Sequence, residues 1–273
     1  MTTLRAGLIG EHISRTRLPS ALQIMCDHAG WALDFTLFDT AHIAGFDFDD
    51  TVNLARADGW SGMTITHPFK TDARRYAANA MVAQVAHLGA CNTLVFAPRL
   101  SGYNTDYTGF LAAFTTLERK PGRVVMMGAG GVAQALAPAL IELGARDLAI
   151  CDTDPARATA LAASSGARAL PLDEAPAAIA AADGLVNATP LGMVEYPGSA
   201  FALSALGPQT WAFDAVYTPT RTAFLGAADA AGLTCLTGFD LFRAMAVRTF
   251  EAYTGLTVPQ DEILPLLNAL KPD

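Results

Sequence analysis

Short apolar runs alternate along the whole chain with longer stretches in which apolar residues recur every three or four positions. The short runs are typical of strands, and the longer stretches are typical of amphipathic helices. The predicted strands lie at 4–9, 34–40, the first part of 60–70, a hairpin over 91–106, 124–127, 148–151, 168–172, 184–189, 210–216 and 233–238. The predicted helices begin at Pro19 and then cover 46–59, 71–90, 107–119, the stretch after glycines 128–131, 155–166, 173–184, 221–232, 239–255 and 261–272.

This order of strands and helices predicts an α/β protein with mainly parallel sheets that are covered by helices on both faces. A chain of 273 residues is long enough for two domains. The Pro121-Gly122 pair marks a boundary between them. Pro138 is a local conflict, because it removes a backbone donor from the helix after the glycines and should bend that helix.

A glycine-rich turn follows the apolar run 124–127. Gly128, Gly130 and Ala133 fit the pattern G-x-G-x-x-A, with Gly131 as an extra glycine. The first glycine of such a pattern allows a tight turn, the second lets the backbone approach a pyrophosphate, and the small third residue lets helix and strand pack closely. The strand before and the helix after favour a dinucleotide site. The alternative is an ordinary glycine-rich turn in a chain rich in alanine and glycine.

Asp152 stands at the end of the next predicted strand, where an acidic side chain accepts hydrogen bonds from the adenosine ribose hydroxyls. A carboxylate there would repel the extra phosphate of NADP, and Thr153 offers no cation. Arg157, the nearest cation, should lie further along, inside the next helix. We therefore predict NAD rather than NADP as the cofactor.

Composition and charge exclude several other classes of protein. The chain is 52% hydrophobic, so a sizeable core is expected. Its net charge of −8 and the lack of a Lys/Arg cluster argue against nucleic-acid binding. No apolar run reaches the length of a membrane span, and the first ten residues lack the features of a signal peptide. The four cysteines and five histidines show no metal or redox spacing. We expect a cytoplasmic protein with buried thiols, no membrane association and no bound metal.

Three separate stretches carry candidate chemistry: T-I-T-H-P-F-K ending at Lys70, A-C-N-T around Asn92, and G-Y-N-T-D with Asn104 and Asp106. A lysine at the end of a strand with an adjacent carboxylate suits an alcohol–ketone interconversion, because the lysine can exchange the hydroxyl proton while hydride moves to or from a nicotinamide. The alternatives are a surface lysine and asparagines that serve turns.

These motifs together resemble the shikimate/quinate dehydrogenase family over nearly the whole chain. The matching pieces stand in family order at 7–19, 64–70, 89–93, 102–106, 128–131, 187–193, 214–219 and 250–255. The resemblance implies an open α/β substrate domain over 1–105, a Rossmann domain with a doubly wound parallel sheet over 106–238, and C-terminal helices over 239–273 that pack back on the first domain. It also implies reversible, nicotinamide-dependent oxidation of a ring hydroxyl in a small cyclic carboxylic acid, a reaction of aromatic amino acid biosynthesis.

The resemblance also assigns roles to individual positions. Lys70 and Asp106 match the catalytic pair. The substrate-binding positions are Thr16, Thr64, Thr66, Asn92, Tyr217 and Met245. The cofactor-binding positions are Gly128, Gly130, Gly131, Val132, Ala133, Asp152, Thr189, Pro190, Leu191, Met193, Val216 and Gly238, and Asn187, Gly192 and Ala215 also fall at the edge of the nicotinamide.

Several positions depart from the family pattern. The usual His-Ser-x-Ser-Pro loop reads Arg15-Thr16-Arg17-Leu18-Pro19, so Thr16 keeps one carboxylate-binding hydroxyl and Leu18 loses the other. Thr64 stands for a substrate-binding asparagine, and Met245 stands for a glutamine. Losing a buried hydrogen-bond partner costs roughly 1–3 kcal/mol, so these changes predict severely weakened binding of shikimate unless the substrate differs. Either Arg15 or Arg17 could bind the carboxylate instead, or both could be solvated.

The sequence therefore predicts an NAD-dependent dehydrogenase of a shikimate- or quinate-like acid, acting as a monomer or homodimer. Two alternatives remain open. One is a non-catalytic, NAD-binding regulatory protein on the same scaffold. The other is a folate-type methylene dehydrogenase, which the Asn-Thr-Asp stretch at 104–106 fits less well.

Overall fold

The computed structural model describes residues 2–272. Its strands are β1 Thr3–Gly10, β2 Ala32–Asp39, β3 Gly62–Ile65, β4 Thr93–Val95, β5 Ser101–Tyr103, β6 Arg123–Met127, β7 Asp147–Cys151, β8 Arg168–Ala169, β9 Gly184–Asn187, β10 Trp211–Asp214 and β11 Thr234–Thr237. Its α-helices are α1 Leu18–Ala29, α2 Phe48–Ala57, α3 Lys70–Ala77, α4 Thr105–Thr115, α5 Ala133–Glu142, α6 Pro155–Ser165, α7 Ala175–Ala181, α8 Ala223–Ala230, α9 Gly238–Thr254 and α10 Gln260–Leu267.

The chain divides into two compact units. The first unit contains Met1–Asp106 and Arg243–Leu270, and the second contains Tyr107–Phe242 and Lys271–Asp273. The division differs slightly from the predicted domains, because Asp106 belongs to the first unit, and 239–242 and 271–273 belong to the second. Within residues 2–272, no helix is long and apolar enough to cross a membrane.

The first unit is built on a mixed five-stranded sheet of order β2-β1-β3-β4-β5. The first three strands are parallel, whereas β4 and β5 form the predicted antiparallel hairpin. β2 lies at the edge, where Arg5 forms an ion pair with the exposed carboxylate of Asp34 at 3.1 Å. The carboxyl end of the central strand β3 leads directly into α3, which places Lys70 at the start of that helix.

The predicted helix over 71–90 is wrong in its second half. α3 ends at Ala77, and Ala78 has a φ of 46° that no α-helix continues through. Met81 then forms a β-bridge with Gly102 and is buried. Arg74 donates to the carbonyl of Ala78 at 2.9 Å. The tertiary contacts of this segment therefore override the helical preference of its alanines.

The second unit is built on a parallel six-stranded sheet of order β11-β10-β9-β6-β7-β8. β6 lies between β7 and β9, so the strand order reverses beside it. In such open sheets, ligands bind outside the carboxyl ends of the strands at this reversal. The predicted strand 168–172 is cut to two residues because Pro171 cannot donate to a ladder. α5 continues through Pro138.

One tight contact fixes the core of the second unit. The Nε1 of the buried Trp211 donates to the carbonyl of Pro121 at 3.0 Å. A Cβ placed on Gly184 would overlap the Trp211 indole, which faces it from the neighbouring strand. A residue without a side chain is therefore required at this position of β9.

We expect Gly184→Ala to lower the free energy of unfolding by about 1–3 kcal/mol, because the added methyl forces the Trp211 ring from its site. The matched control is Gly226→Ala inside α8, where a Cβ meets only Arg221 at 3.8 Å. That change should raise stability by roughly 0.5–1 kcal/mol through helix propensity. Urea denaturation of both variants measures the difference, and an equal response would contradict the packing argument.

Candidate active site

Lys70 and Asp106 are in direct contact within the first unit. The Nζ of Lys70 lies 2.7 Å from Oδ2 of Asp106, and the two side chains are 18% and 15% exposed. Asp106 is the second residue of α4, where the positive end of the helix dipole favours a carboxylate. The sequence-predicted pair is thus brought together from two distant helix N-termini. The pair is exposed enough to contact a ligand. It is also buried enough that solvent weakens the interaction between the two charges less than it would at the surface.

Asn92 has its amide nitrogen left for a ligand. Its Oδ1 accepts from the backbone N–H of Thr105 at 2.7 Å and from the hydroxyls of Thr93 and Thr105, each at 3.1 Å. Within the part of the chain that the structure describes, no acceptor pairs with its Nδ2. The saturated oxygen fixes the side chain, so the NH2 group is held ready as a donor. Asn104 instead donates to the carbonyl of Ala90 at 3.1 Å, as a turn residue would.

Helix α9 presents three residues at four-residue spacing: Met245, Thr249 and Tyr253. The Thr249 hydroxyl bonds to that of Thr105 at 3.0 Å and lies 3.5 Å from the Met245 sulfur. The Tyr253 hydroxyl bonds to that of the buried Thr64 at 2.6 Å. Burial raises the pKa of the Tyr253 phenol far above its usual range. The bond to Tyr253 holds the Thr64 hydroxyl in place and leaves it further hydrogen-bonding capacity.

The loop before α1 ends at Leu18. Leu18 is the first residue of α1 and is 2% exposed, so its apolar side chain belongs to the core and offers no hydroxyl to a ligand. Ser14 is exposed and lies two residues before the half-buried Thr16 on the same loop. The sequence analysis did not single out this second hydroxyl of the loop.

The carboxylate of Asp39, at the end of β2, holds this loop. It accepts from the backbone N–H of His12 at 2.9 Å and of Ile13 at 3.1 Å. Thr66, which follows β3, is half-buried, and its backbone N–H donates to the carbonyl of Ile9 at 2.9 Å. The predicted Thr16 and Thr66 are thus each placed at the carboxyl end of the parallel part of the sheet.

The glycine turn of the second unit fits a dinucleotide. Gly128 has a φ of 102°, and a Cβ on it would lie 2.8 Å from the carbonyl of Ala188. A Cβ on Gly130 or Gly131 would meet nothing within 4 Å, so both face open space. Among residues 2–272, no acceptor pairs with the N–H groups of Gly130, Gly131 or Val132. These groups precede α5, which begins at Ala133, and are arranged as an anion site requires.

Asp152 follows β7 and holds the turn. Its Oδ2 accepts from the N–H of Ala129 at 2.7 Å, and its Oδ1 accepts from that of Asp154 at 2.8 Å. A carboxylate has about four acceptor positions, so room is left for ribose hydroxyls. Arg157 lies inside α6, as predicted, and its Nε is 3.4 Å from Asp154.

The loop after β9 is held by a buried network that sequence reasoning did not single out. The Nδ2 of Asn187 donates to the carbonyl of Leu191 at 2.9 Å and to Asp214 at 2.8 Å. The Oδ1 of Asn187 accepts from the N–H and hydroxyl of Thr189 at 3.0 and 2.7 Å. The predicted cofactor residues Thr189, Pro190, Leu191 and Met193 all lie on this loop. Their signal in the sequence was the motif N-A-T-P-L-G-M.

The loop after β10 carries the remaining predicted positions. Val216 is buried, and the ring of Tyr217 stacks on Phe242 with centroids 5.6 Å apart. A Cβ on Gly238 would overlap the carbonyl of Ala215, so the start of α9 packs on this loop. Within the described residues, no three His, Cys, Asp or Glu side chains are grouped to hold a metal ion.

Comparisons with known proteins point in one direction. Residues 8–94 match the family model described as shikimate dehydrogenase substrate binding domain, and residues 111–192 match that of shikimate/quinate 5-dehydrogenase. The chain is 40% identical to a quinate/shikimate dehydrogenase (NAD(+)) of Corynebacterium efficiens, over 92% of each chain. It is 35% identical to a shikimate dehydrogenase (NADP(+)) of Streptomyces avermitilis, over 91% of this chain and 89% of the relative. A solved quinate dehydrogenase from Corynebacterium glutamicum in complex with NAD has a TM-score of 0.91 at 33% identity, covering 98% of this chain and 100% of that one.

The buried Asp214 generates a prediction about pH. Burial raises the pKa of Asp214 from 3.8 to about 6. The folded chain therefore binds a proton more tightly than the unfolded chain, so this group's stabilising contribution is present below about pH 4 and is lost as pH rises through about 6. Relative to Asp214→Asn, the wild type should gain up to about 3 kcal/mol in free energy of unfolding as pH falls from about 7 to 4. Urea denaturation across this range measures it, and parallel curves for the two proteins would contradict it.

Proposed function

Because the chain belongs to the shikimate/quinate dehydrogenase family of NAD(P)-dependent oxidoreductases, we propose that it uses Lys70 and Asp106 to oxidise a ring hydroxyl with NAD. The substrate is a shikimate- or quinate-like cyclic carboxylic acid, and the reaction is reversible. The observation that carries this proposal is the 2.7 Å contact between the Lys70 amine and the Asp106 carboxylate in a partly buried position.

The pair provides acid–base chemistry at one oxygen of the substrate. In the oxidation direction the Lys70 amine takes the hydroxyl proton, and Asp106 stabilises the ammonium that forms. In the reduction direction the ammonium returns that proton to the carbonyl oxygen. NAD, when bound, supplies the acceptor for the hydride that leaves the carbinol carbon. Asp106 also orients the amine, because its Oδ2 accepts a hydrogen bond from Nζ of Lys70 at 2.7 Å.

Polar groups of the first unit orient the substrate. The free Nδ2 of Asn92 donates to a substrate oxygen, and Thr66 adds a hydroxyl. We assign the substrate carboxylate to the loop that carries Ser14 and Thr16, with Arg15 or Arg17 as its countercharge. Tyr217 of the second unit is proposed as a further carboxylate donor. Met245 offers a thioether, which is a weak acceptor at best, so it favours a ring edge without a hydroxyl group.

NAD is the proposed cofactor. The N–H groups of Gly130, Gly131 and Val132 would hold the pyrophosphate, and Asp152 would accept from the adenosine ribose. Asp152 and Asp154 both carry negative charge beside the position where NADP has its extra phosphate. Arg157 is already paired with Asp154. The relatives named for NAD(+) and the structure solved with NAD support this choice, whereas other relatives are named for NADP(+).

We expect Lys70→Met to lower kcat by about 10²–10⁴-fold with quinate or shikimate, because the proton acceptor is lost. Asp106→Asn should lower kcat in the same direction. The matched control is Lys120→Met, which removes an exposed lysine of the second unit and should leave the rate unchanged. NADH absorbance measures the rate of each variant.

A Lys70→Met variant with normal kcat on an identified substrate would overturn the catalytic assignment. If the wild type binds NAD but turns over no cyclohexane or cyclohexene carboxylate in a broad panel, the chain is better described as the non-catalytic NAD-binding protein.

We expect Asp152→Asn to reduce the preference for NAD over NADP, measured as the ratio of kcat/KM values, by roughly ten-fold or more. The charge that repels the extra phosphate is removed, and the remaining oxygen can still accept from one of the two backbone N–H groups that Asp152 holds. Asp173→Asn, at an exposed aspartate of the same unit, is the control and should leave the ratio unchanged. A wild type that uses NADP as well as NAD would refute the role of Asp152.

A further inference from the structure

Asp214 is the last residue of β10 and is completely buried. Its Oδ1 accepts from the Nδ2 of Asn187 at 2.8 Å and from the backbone N–H of Val216 at 3.0 Å. Its Oδ2 accepts from the hydroxyl of Thr222 at 2.6 Å. All three donors are neutral. Burying a carboxylate without a cationic partner costs folding free energy. We therefore look for a role of Asp214 other than stabilising the fold.

The partners of Asp214 connect three segments. Asn187 ends β9, Val216 lies in the loop after β10, and Thr222 accepts from the N–H of Leu225 at the start of α8. Asp214 therefore joins two adjacent strand ends and a helix N-terminus. Among the described residues of the second unit, no other carboxylate is fully buried and hydrogen-bonded to three separate segments.

The segment that Asp214 supports lies where a dinucleotide crosses the sheet. The strand order reverses at β6, whose neighbours are β7 and β9. Ligands bind at the carboxyl ends of the strands at this reversal. Asp152, beyond β7, takes one half of the cofactor under the proposed function, so the other half extends over the end of β9. The segment there is the loop 188–193.

Asp214 controls the shape of this loop through Asn187. Asn187 has a single side-chain amide, whose Nδ2 reaches both Asp214 and the carbonyl of Leu191, while its Oδ1 accepts twice from Thr189. Gly192 approaches the same group, since a Cβ on it would lie 3.0 Å from Thr222 and 4.0 Å from Asp214. Ala188 in turn packs against Gly128 of the glycine turn. Turning the Asn187 amide would therefore displace the loop from both ends.

We propose that Asp214 is a positioning residue that fixes the loop 188–193 for the nicotinamide half of the cofactor. It acts through Asn187 and does not touch the ligand. This inference rests on the proposed function only in that the second unit binds NAD.

The test compares NAD with ADP, which shares the adenosine and pyrophosphate but lacks the nicotinamide riboside. Calorimetry on the full-length chain gives both affinities without any turnover. In Asp214→Ala, the affinity for NAD should fall by about ten-fold, whereas that for ADP stays within about two-fold. Asp214→Asn should recover most of the NAD affinity, because its oxygen can accept from Asn187 and Val216 while its NH2 donates to Thr222.

The matched control is Gln209→Ala. Gln209 is buried just before β10, at the opposite end of the strand, and its Nε2 bonds to the carbonyls of Ile179 and Ala205. This change removes a comparable set of buried hydrogen bonds. It should change the affinities for NAD and for ADP only slightly and to the same extent. If Asp214→Ala does not fold, Thr222→Val replaces it, with Thr222→Ser as the conservative variant that keeps the hydroxyl.

Each outcome decides the question. Selective loss of NAD affinity in Asp214→Ala or Thr222→Val, with recovery in the conservative variant, supports the positioning role. Parallel loss of NAD and ADP, or no loss of either, overturns it, as does a wild type that binds ADP as tightly as NAD. A wild type that binds neither compound contradicts the proposed function itself and is thereby distinguished from failure of this inference.

Discussion

Parallel strands place their carboxyl ends along one edge of a sheet, and this directional constraint decides where the polar groups of the second unit meet. Gly128 follows β6, Asp152 follows β7, and Asn187 and Asp214 end β9 and β10. These residues are far apart in sequence, yet each occupies the same edge because all six strands run the same way. The position of the proposed cofactor site therefore follows from strand direction before any single side chain is considered.

In the first unit, a network of hydrogen bonds holds the polar side chains rigidly beside the apolar core. The side-chain oxygen of Asn92 accepts three hydrogen bonds, so only the side-chain nitrogen remains available to a ligand. Thr105 shares its hydroxyl with Thr249, which ties the segment before Asp106 to α9. Satisfied buried networks of this kind are rigid, and the proton transfer proposed for Lys70 and Asp106 would benefit from neighbours that do not move.

Much of this arrangement could be predicted from the sequence. Local patterns were sufficient for the glycine turn, the 91–106 hairpin and most strands, because each depends on residues close in sequence. The pairing of Lys70 with Asp106 was also predicted: their charge and chemistry made it possible, and the family resemblance assigned it. The break at Ala78 was not, since it depends on Met81 pairing with Gly102 far along the chain.

The buried partners were equally hard to foresee. Asp214 appeared only as one letter of a motif, and nothing local indicates that its three donors come from β9, the following loop and α8. Tyr253 and Thr64 are 189 positions apart, so no local pattern could show that the Thr64 hydroxyl is already bonded.

The edge of the first sheet has one more consequence. β2 is eight residues long and pairs with β1 on one side only, so its outer backbone groups form a template that another chain could extend. Asp34 projects a carboxylate that is 56% exposed from the middle of this strand. Charges on such edges discourage strand-by-strand aggregation. The half-exposed Asp34 carboxylate is thus expected to discourage the pairing of β2 with a strand of another chain.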